Sequence, residues 1–469
     1  MTMSNIGCMR GFLASSVGVA CAAALALPLT PPAAAAASPA SSRTASMPAA
    51  RPDVLAGSTQ SLPLTPLTRD RVLGSTAAEQ GLARRDVRHF SMVGVIWDDP
   101  DTALHGRVQV RTRATGSDTW SQWQDVGTHN DDAPDPDSTE RTSGRVRGST
   151  APLWVGDSDG VEVRVRAEGA SRTEDTARGT RTLTSATALP SGLRLELVDP
   201  GEAESGGAES GGAAPVTRAG SLRAGTGTPE SAESQAVTEI PALDQAATER
   251  ELRTLRGSEL TRSQRVKPYI GARPRIVTRR GWGADEKLRE KKFVYTRNVK
   301  AAFVHHTDTG NGYKCSQAAS VIRGIYRYHV KSMGWRDIGY NFLVDKCGTI
   351  YEGRAGGVAK PVLGAHTLGF NTKSMGIAVL GSFGSAKPPA AAVKAIARLT
   401  AWKLGIWGGN PSGKTYLKSG GGNLYRKGKN VRLNVISGHR DGFATDCPGL
   451  QLYRKLGTTR TTAARFQGR

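Results

Sequence analysis

The residues best equipped for chemistry lie in the run Ser437-Gly438-His439-Arg440-Asp441-Gly442-Phe443-Ala444-Thr445-Asp446-Cys447-Pro448-Gly449. A histidine at the end of a short apolar stretch and a cysteine across the following loop can both reach one ion. Zinc accepts imidazole nitrogen at about 2.0–2.1 Å and thiolate sulfur at about 2.3 Å, and a catalytic zinc takes three protein ligands and keeps one position open. The third ligand is expected from Ala301-Ala302-Phe303-Val304-His305-His306, an apolar run ending in two histidines. Neighbouring strand residues point to opposite faces, so only one of His305 and His306 enters the site, and spacing does not choose between them. Two neutral imidazoles and a thiolate leave a divalent ion still a Lewis acid, able to polarise a carbonyl and to bring the pKa of water toward about 7. The competing reading makes Cys447 half of a disulfide and the histidines structural.

Cysteine usage bears on that choice. Residues 1–10 carry one positive charge, residues 11–29 are uncharged and largely apolar, and a run of alanines follows at 33–37. This pattern reads as a secretory signal peptide over 1–37. The apolar run ends at Pro28 with no basic stop-transfer cluster, so a membrane anchor fits less well, and the residues before Cys21 match a lipid-attachment pattern poorly. Removal of that segment takes Cys8 and Cys21 with it and leaves Cys315, Cys347 and Cys447. In an exported protein two of these should pair. Cys315 and Cys347 flank a helix and a hairpin of one unit and can bridge each other, which frees Cys447 for a metal.

Around these residues the C-terminal segment, 267–469, alternates strands and helices. Residues 301–306 read as a strand. Ser316 can cap a helix running to about 333, whose Ala319, Ile322, Ile325, Tyr326, His329, Val330 and Met333 share one stripe. Residues 341–345 and 349–352 form a hairpin, 374–380 a strand, 389–404 an amphipathic helix, 435–437 a short strand and 450–456 a helix. The expected fold class is α/β, a mixed central sheet flanked by helices. It is preceded by a smaller antiparallel β-sandwich at 86–192, where Arg107-Val108-Gln109-Val110-Arg111 and Val161-Glu162-Val163-Arg164-Val165 alternate polar and apolar residues. Residues 38–85 read as a flexible leader and 193–266 as a disordered linker, with a short helix within 244–256. The formal net charge is +22, and every lysine lies at or after Lys267, which marks two halves of different origin. Such charge suits anionic wall polymers; nucleic acid and stable membrane insertion are not expected of an exported chain.

Several runs together resemble the peptidoglycan recognition protein family, which groups with zinc N-acetylmuramoyl-L-alanine amidases of phage-lysozyme type. These are Phe303-Val304-His305-His306-Thr307, Gly334-Trp335-Arg336-Asp337-Ile338-Gly339-Tyr340-Asn341-Phe342, Gly348-Thr349-Ile350-Tyr351-Glu352-Gly353-Arg354, Gly364-Ala365-His366, and His439-Arg440-Asp441 with Thr445-Asp446-Cys447-Pro448-Gly449. The resemblance spans about 270–460. It implies that His305, His439 and Cys447 hold zinc, with Tyr340 and Thr445 beside it, and that the bond cut joins the lactyl group of N-acetylmuramic acid to L-alanine. Tyr340 is then the candidate donor to the water or the oxyanion, with Thr445 as a second donor. His366 and Asn371 are candidate contacts to the muramyl peptide, although His366 reads equally well as a loop histidine. Non-catalytic members commonly lack the zinc cysteine, so a recognition module that binds without cutting is the alternative.

The remaining candidates read more plainly. Asp337 and Glu352 could suggest the paired carboxylates of a glycosidase, but isolated acidic residues in turns and strands are common. His329 sits on the helix stripe and reads as a core residue. Trp97, Trp120, Trp123 and Trp154 read as core or rim of the sandwich before a glycan-binding face. Residues 408–431 look like an inserted basic hairpin.

Overall fold

Alternation builds the N-terminal sheet. The computed structural model describes residues 57–67, 79–128, 131–169, 171–175, 180–184, 187–202 and 237–469. The signal-peptide reading for 1–37 and most of the linker, 203–236, lie outside them. Strands β1 (Ser58–Pro63), β2 (Glu79–Trp97), β3 (Gly106–Ala114), β4 (Leu153–Ala167) and β5 (Arg194–Asp199) pair antiparallel in the order β1-β5-β2-β4-β3 within an eight-stranded sheet. Three short strands complete it: Gln124–Val126 beside β3, and Thr65–Pro66 and Gly148–Ser149 beside β2. This corrects the expected sandwich. One continuous sheet does the work of two, because β2 is 19 residues long and its pairing with β4 slips between Leu82 and Arg85 and twice more before Met92. Such irregularities bend a strand sharply. It also corrects the boundaries: β1 and the start of β2 fall in the supposed leader, and β5 in the supposed linker.

The unbroken apolar run 90–97 has a simple cause. Val93, Val95 and Trp97 face the sheet's own core with Val108, Val110, Val163 and Leu195. Met92 and Ile96 point the other way, into a core shared with Ile325, Tyr326 and Tyr328 of the C-terminal domain. A strand buried on both faces needs no alternation. Gly94 lies directly over Tyr328, where a Cβ would stand 2.4 Å from the hydroxyl oxygen. Tyr328 donates to the carbonyl of Thr150, and Ser332 to Glu196, both across this junction. Trp97 is buried, as expected. Trp123 lies on the rim between the guanidinium groups of Arg164 and Arg111, 4.2 and 4.8 Å from its centroid.

Residues 237–266 are ordered, correcting the disordered reading of that part. Helix α1 (Gln245–Arg256) is capped by Asp244, which accepts from the Ala247 N–H at 2.7 Å. Helix α2 (Arg262–Val266) follows, and Leu252 and Leu260 enter the second domain's core.

That domain is a mixed sheet with helices on both faces. Its strands β6 (Ile276–Val277), β7 (Ala301–His306), β8 (Phe342–Val344), β9 (Ile350–Glu352) and β10 (Ser374–Val379) join a last strand, Ile436–Gly438, and an edge strand, Glu239–Ile240. The order is Glu239–Ile240, β6, β9, β8, β10, β7, Ile436–Gly438, with only the β8–β9 and edge pairings antiparallel. Ala302, Val304, Phe342, Val344, Met375 and Ile377 face helix α3 (Ala390–Ile406) and its neighbours. Leu343 and Ala378 face the helix Ala318–Arg327, which continues as a π turn over Tyr328–Ser332. The start of that helix differs from expectation: the Gln317 side chain accepts the Lys314 N–H, so Ser316 is not the cap. Among the described residues no helix is long and apolar enough to cross a membrane.

Cys315 and Cys347 form a disulfide across a separation of 32 residues. It ties the front of the Ala318–Arg327 helix to the β8–β9 turn, and a crosslink over a loop of this length contributes about 2–4 kcal/mol. Urea denaturation of the Cys315→Ser/Cys347→Ser double variant should show a loss of about that size. An unchanged midpoint would show that the sheet and helix hold without it.

Candidate metal centre

Strand register decides which histidine enters the site. On β7, Ala302 and Val304 turn toward α3, and His306 shares their parity. Ala301 and Phe303 face the other way, packed with Phe370 and Leu417, and His305 follows them. Strand Ile436–Gly438 pairs parallel with β7, Val304 opposite Gly438, which carries His439 up beside His305. The loop that follows returns Cys447 to the same place. The ligand atoms of His305, His439 and Cys447 lie within 4.8 Å of one another, and all three side chains are buried. The His306 ring instead accepts the Phe383 N–H at 3.2 Å.

The donors fit a soft divalent cation. Neither ring nitrogen of His439 has a hydrogen-bond partner among the described residues, an uncommon state for a buried polar atom. The Cys447 sulfur is free of any disulfide and lies 3.7 Å from His305 Nδ1. Burial holds both imidazoles neutral, bringing His305 and His439 down to about 3. Neutral imidazole is the form that ligates a metal. Burial, with the Asp132 charge nearby, pushes the Cys447 thiol well above its usual range, so a thiolate here needs a cation to sustain it. The other nitrogen of His305 is held by the Thr367 hydroxyl at 3.4 Å, which sets the ring's orientation.

A fourth group enters this centre that sequence reasoning missed. Asp132, from the N-terminal domain, places Oδ1 3.0 Å from His305 Nδ1 and 3.4 Å from His439 Nδ1. Its Oδ1 also lacks a hydrogen-bond partner, while Oδ2 accepts from the Tyr340 hydroxyl at 2.5 Å. Burial raises the Asp132 carboxyl to about 6. Burial and that carboxylate together push the Tyr340 hydroxyl well up, so it stays a donor. The only hint in the sequence was density of charge: residues 131–140 read Asp-Asp-Ala-Pro-Asp-Pro-Asp-Ser-Thr-Glu in a basic chain.

The other predicted residues are placed as follows. Thr445 uses its hydroxyl oxygen to accept the Cys447 N–H at 3.1 Å, shaping the loop that presents the thiol. His366 is fully buried behind His305, its ring within reach of the Thr367 and Ser374 hydroxyls at 3.0 and 3.4 Å. In this structure it packs behind His305 and presents no exposed surface. Asn371 accepts the His366 N–H and points its amide at the segment carrying Asp132, donating to Ala133 O at 2.9 Å. His329 is a core residue whose Nδ1 accepts from Gly339. Asp337 pairs with buried Arg279 at 3.1 Å and accepts from the Ile338 and Ala355 amides, and Glu352 accepts the Arg279 N–H. Neither carboxylate is free for glycosidase chemistry. Residues Lys414–Lys418 and Asn430–Asn434 do form the expected hairpin.

Comparison with known proteins covers both domains. Residues 295–450 match the N-acetylmuramoyl-L-alanine amidase family, and residues 42–186 match the Rv3811 N-terminal galactose-binding domain-like family. Peptidoglycan-recognition protein SC2 of Drosophila simulans is 30% identical over 185 residues, which is 39% of this chain and 85% of that protein. The N-acetylmuramoyl-L-alanine amidase of Homo sapiens is 32% identical over 193 residues, 40% of this chain but 29% of that one. Among solved structures, wild-type Drosophila PGRP-LB is 26% identical, covering 39% of this chain and 92% of that chain, with a TM-score of 0.31.

The Thr367 hydroxyl gives a direct test of the donor set. Thr367→Val should weaken zinc binding by about 10–100-fold, read by competition with a chromophoric chelator. Unchanged affinity would remove His305 from the ligand set.

Proposed function

Because the chain belongs to the peptidoglycan recognition protein family, we propose that it is a zinc-dependent N-acetylmuramoyl-L-alanine amidase. It would hydrolyse the amide between the lactyl group of N-acetylmuramic acid and L-alanine. The observation that carries this reading is the convergence of His305, His439 and Cys447, with the Tyr340 hydroxyl directed at the same point. Zinc held by these ligands supplies Lewis acidity toward a carbonyl oxygen and toward water.

The chain's own residues do the rest. Tyr340 keeps its proton, and its present partner, a carboxylate oxygen, occupies the kind of position that an amide oxygen takes as it gains negative charge. One such preorganised donor is worth about 10²–10³ in rate. Thr367 fixes the His305 ring, and Thr445 fixes the loop that presents Cys447. Asp337 and Glu352 are held by Arg279 and are not free to serve as a base, and Asp132, the carboxylate beside the ligands, is engaged by the Tyr340 hydroxyl. Proton movement therefore falls to Tyr340, to water and to the substrate itself. The Cys315–Cys347 bridge supports an oxidising compartment, in keeping with export to the cell wall.

Exhaustive digestion of purified sacculi by the zinc-loaded chain should release stem peptides with a new amino-terminal L-alanine. Cys447→Ser should abolish release, and Tyr340→Phe should slow it by about 10²–10³. If the zinc-loaded chain binds sacculi and leaves every lactyl–alanine amide intact, the recognition module is the correct reading.

A further inference from the structure

The amidase centre is closed by the chain itself. His305, His439, Cys447 and Tyr340 are at most 7% exposed, and Asp132 is also 7% exposed. An enzyme that cuts an insoluble polymer cannot work from a sealed site. The covering residues, 131–140, belong to the stretch between the strands Gln124–Val126 and Gly148–Ser149 of the N-terminal sheet, where the Ala151 N–H donates to Gly127 O at 2.9 Å.

Each acidic anchor of this segment meets a matched donor. Asp132 faces both imidazoles and accepts from Tyr340. Asp135 accepts from the Gly369 N–H and the Asn371 side-chain amide, each at 2.8 Å. Asp137 pairs with Lys427, on the loop of the basic hairpin, at 2.5 Å. Glu140 forms a two-pronged pair with buried Arg354, both contacts 2.9 Å, and accepts the Arg336 N–H. Pro134 and Pro136 stiffen the stretch between. Four successive carboxylates on four separate donor sites are a docked ligand, not a solvated acidic loop.

Resting on the amidase reading, we infer that residues 131–140 form a built-in acidic strap that keeps this enzyme latent, with the Asp132 carboxylate filling the coordination position a catalytic zinc would otherwise keep open. The charge arithmetic agrees. Two neutral imidazoles and a thiolate leave a divalent ion with one uncompensated positive charge, and one carboxylate cancels it. Asp132 also takes up the Tyr340 proton donor, so a single residue occupies both functions that an incoming amide carbonyl requires. Activation is then local withdrawal of the strap.

Cobalt-substituted full chain separates this inference from the reading beneath it. In the wild type, azide should leave the cobalt absorption bands unchanged. In Asp132→Ala an exchangeable position opens and azide should shift them. Asp135→Ala, which loosens the strap without touching the centre, should give an intermediate response and guards against a folding defect in the first variant. Initial rates of peptide release from sacculi should rise about tenfold or more in Asp132→Ala, because the rate scales with the open fraction. Equal azide responses and equal rates in wild type and Asp132→Ala overturn the strap while leaving the amidase intact. Azide gating by Asp132 without peptide release from any variant overturns the amidase reading, and latency with it. A chain that takes up neither cobalt nor zinc removes the metal centre, and both ideas with it.

Discussion

The centre depends on burial of polar atoms that have no hydrogen-bond partner among the described residues. Two imidazole nitrogens of His439 and one oxygen of Asp132 are enclosed where water does not reach. Each would cost on the order of 1–3 kcal/mol if left unsatisfied. The fold keeps them there because parallel pairing of Ile436–Gly438 with β7 sets His439 beside His305, and the apolar faces of those strands fix the register. A one-residue slip of β7 would send His306 to the centre and His305 toward α3.

Much of this was legible. Most elements of the C-terminal domain emerged from periodicity because each is apolar on the face or faces it buries; the two-residue strand Ile276–Val277 and the helix Leu456–Phe466, which begins where the expected 450–456 helix was to end, did not. His439 and Cys447 could be paired from spacing, and the bridge between Cys315 and Cys347 followed from reading residues 1–37 as a removed segment and from the place of these two cysteines beside one helix and hairpin. His305 over His306 could not be derived from the residues, since the choice rests on which face of β7 meets α3, a fact of tertiary packing. The family resemblance supplied it, and the register explains it.

What stayed hidden was long-range. The single eight-stranded sheet was read as two because bulges in β2 are not written in hydrophobic alternation. The strand Arg194–Asp199 was taken for linker since it adjoins a Gly- and Glu-rich stretch. His366 was read both as a contact to the muramyl peptide and as a loop histidine; the structure buries it against the hydroxyls of Thr367 and Ser374. Asp132 was invisible for a deeper reason. Its partners lie more than 170 residues away, and nothing local distinguishes a docked aspartate from a solvated one.

Strand β2 carries a mechanical consequence. Its two faces belong to two different hydrophobic cores, so the N-terminal sheet and the amidase domain share one apolar body. Prising them apart would expose Met92, Ile96 and the Tyr328 ring to water together. Rigid-body swinging is therefore the expensive motion, and peeling a polar loop off a polar surface the cheap one. The N-terminal sheet works as an anchored bracket from which only the tongue between its strands is free to lift.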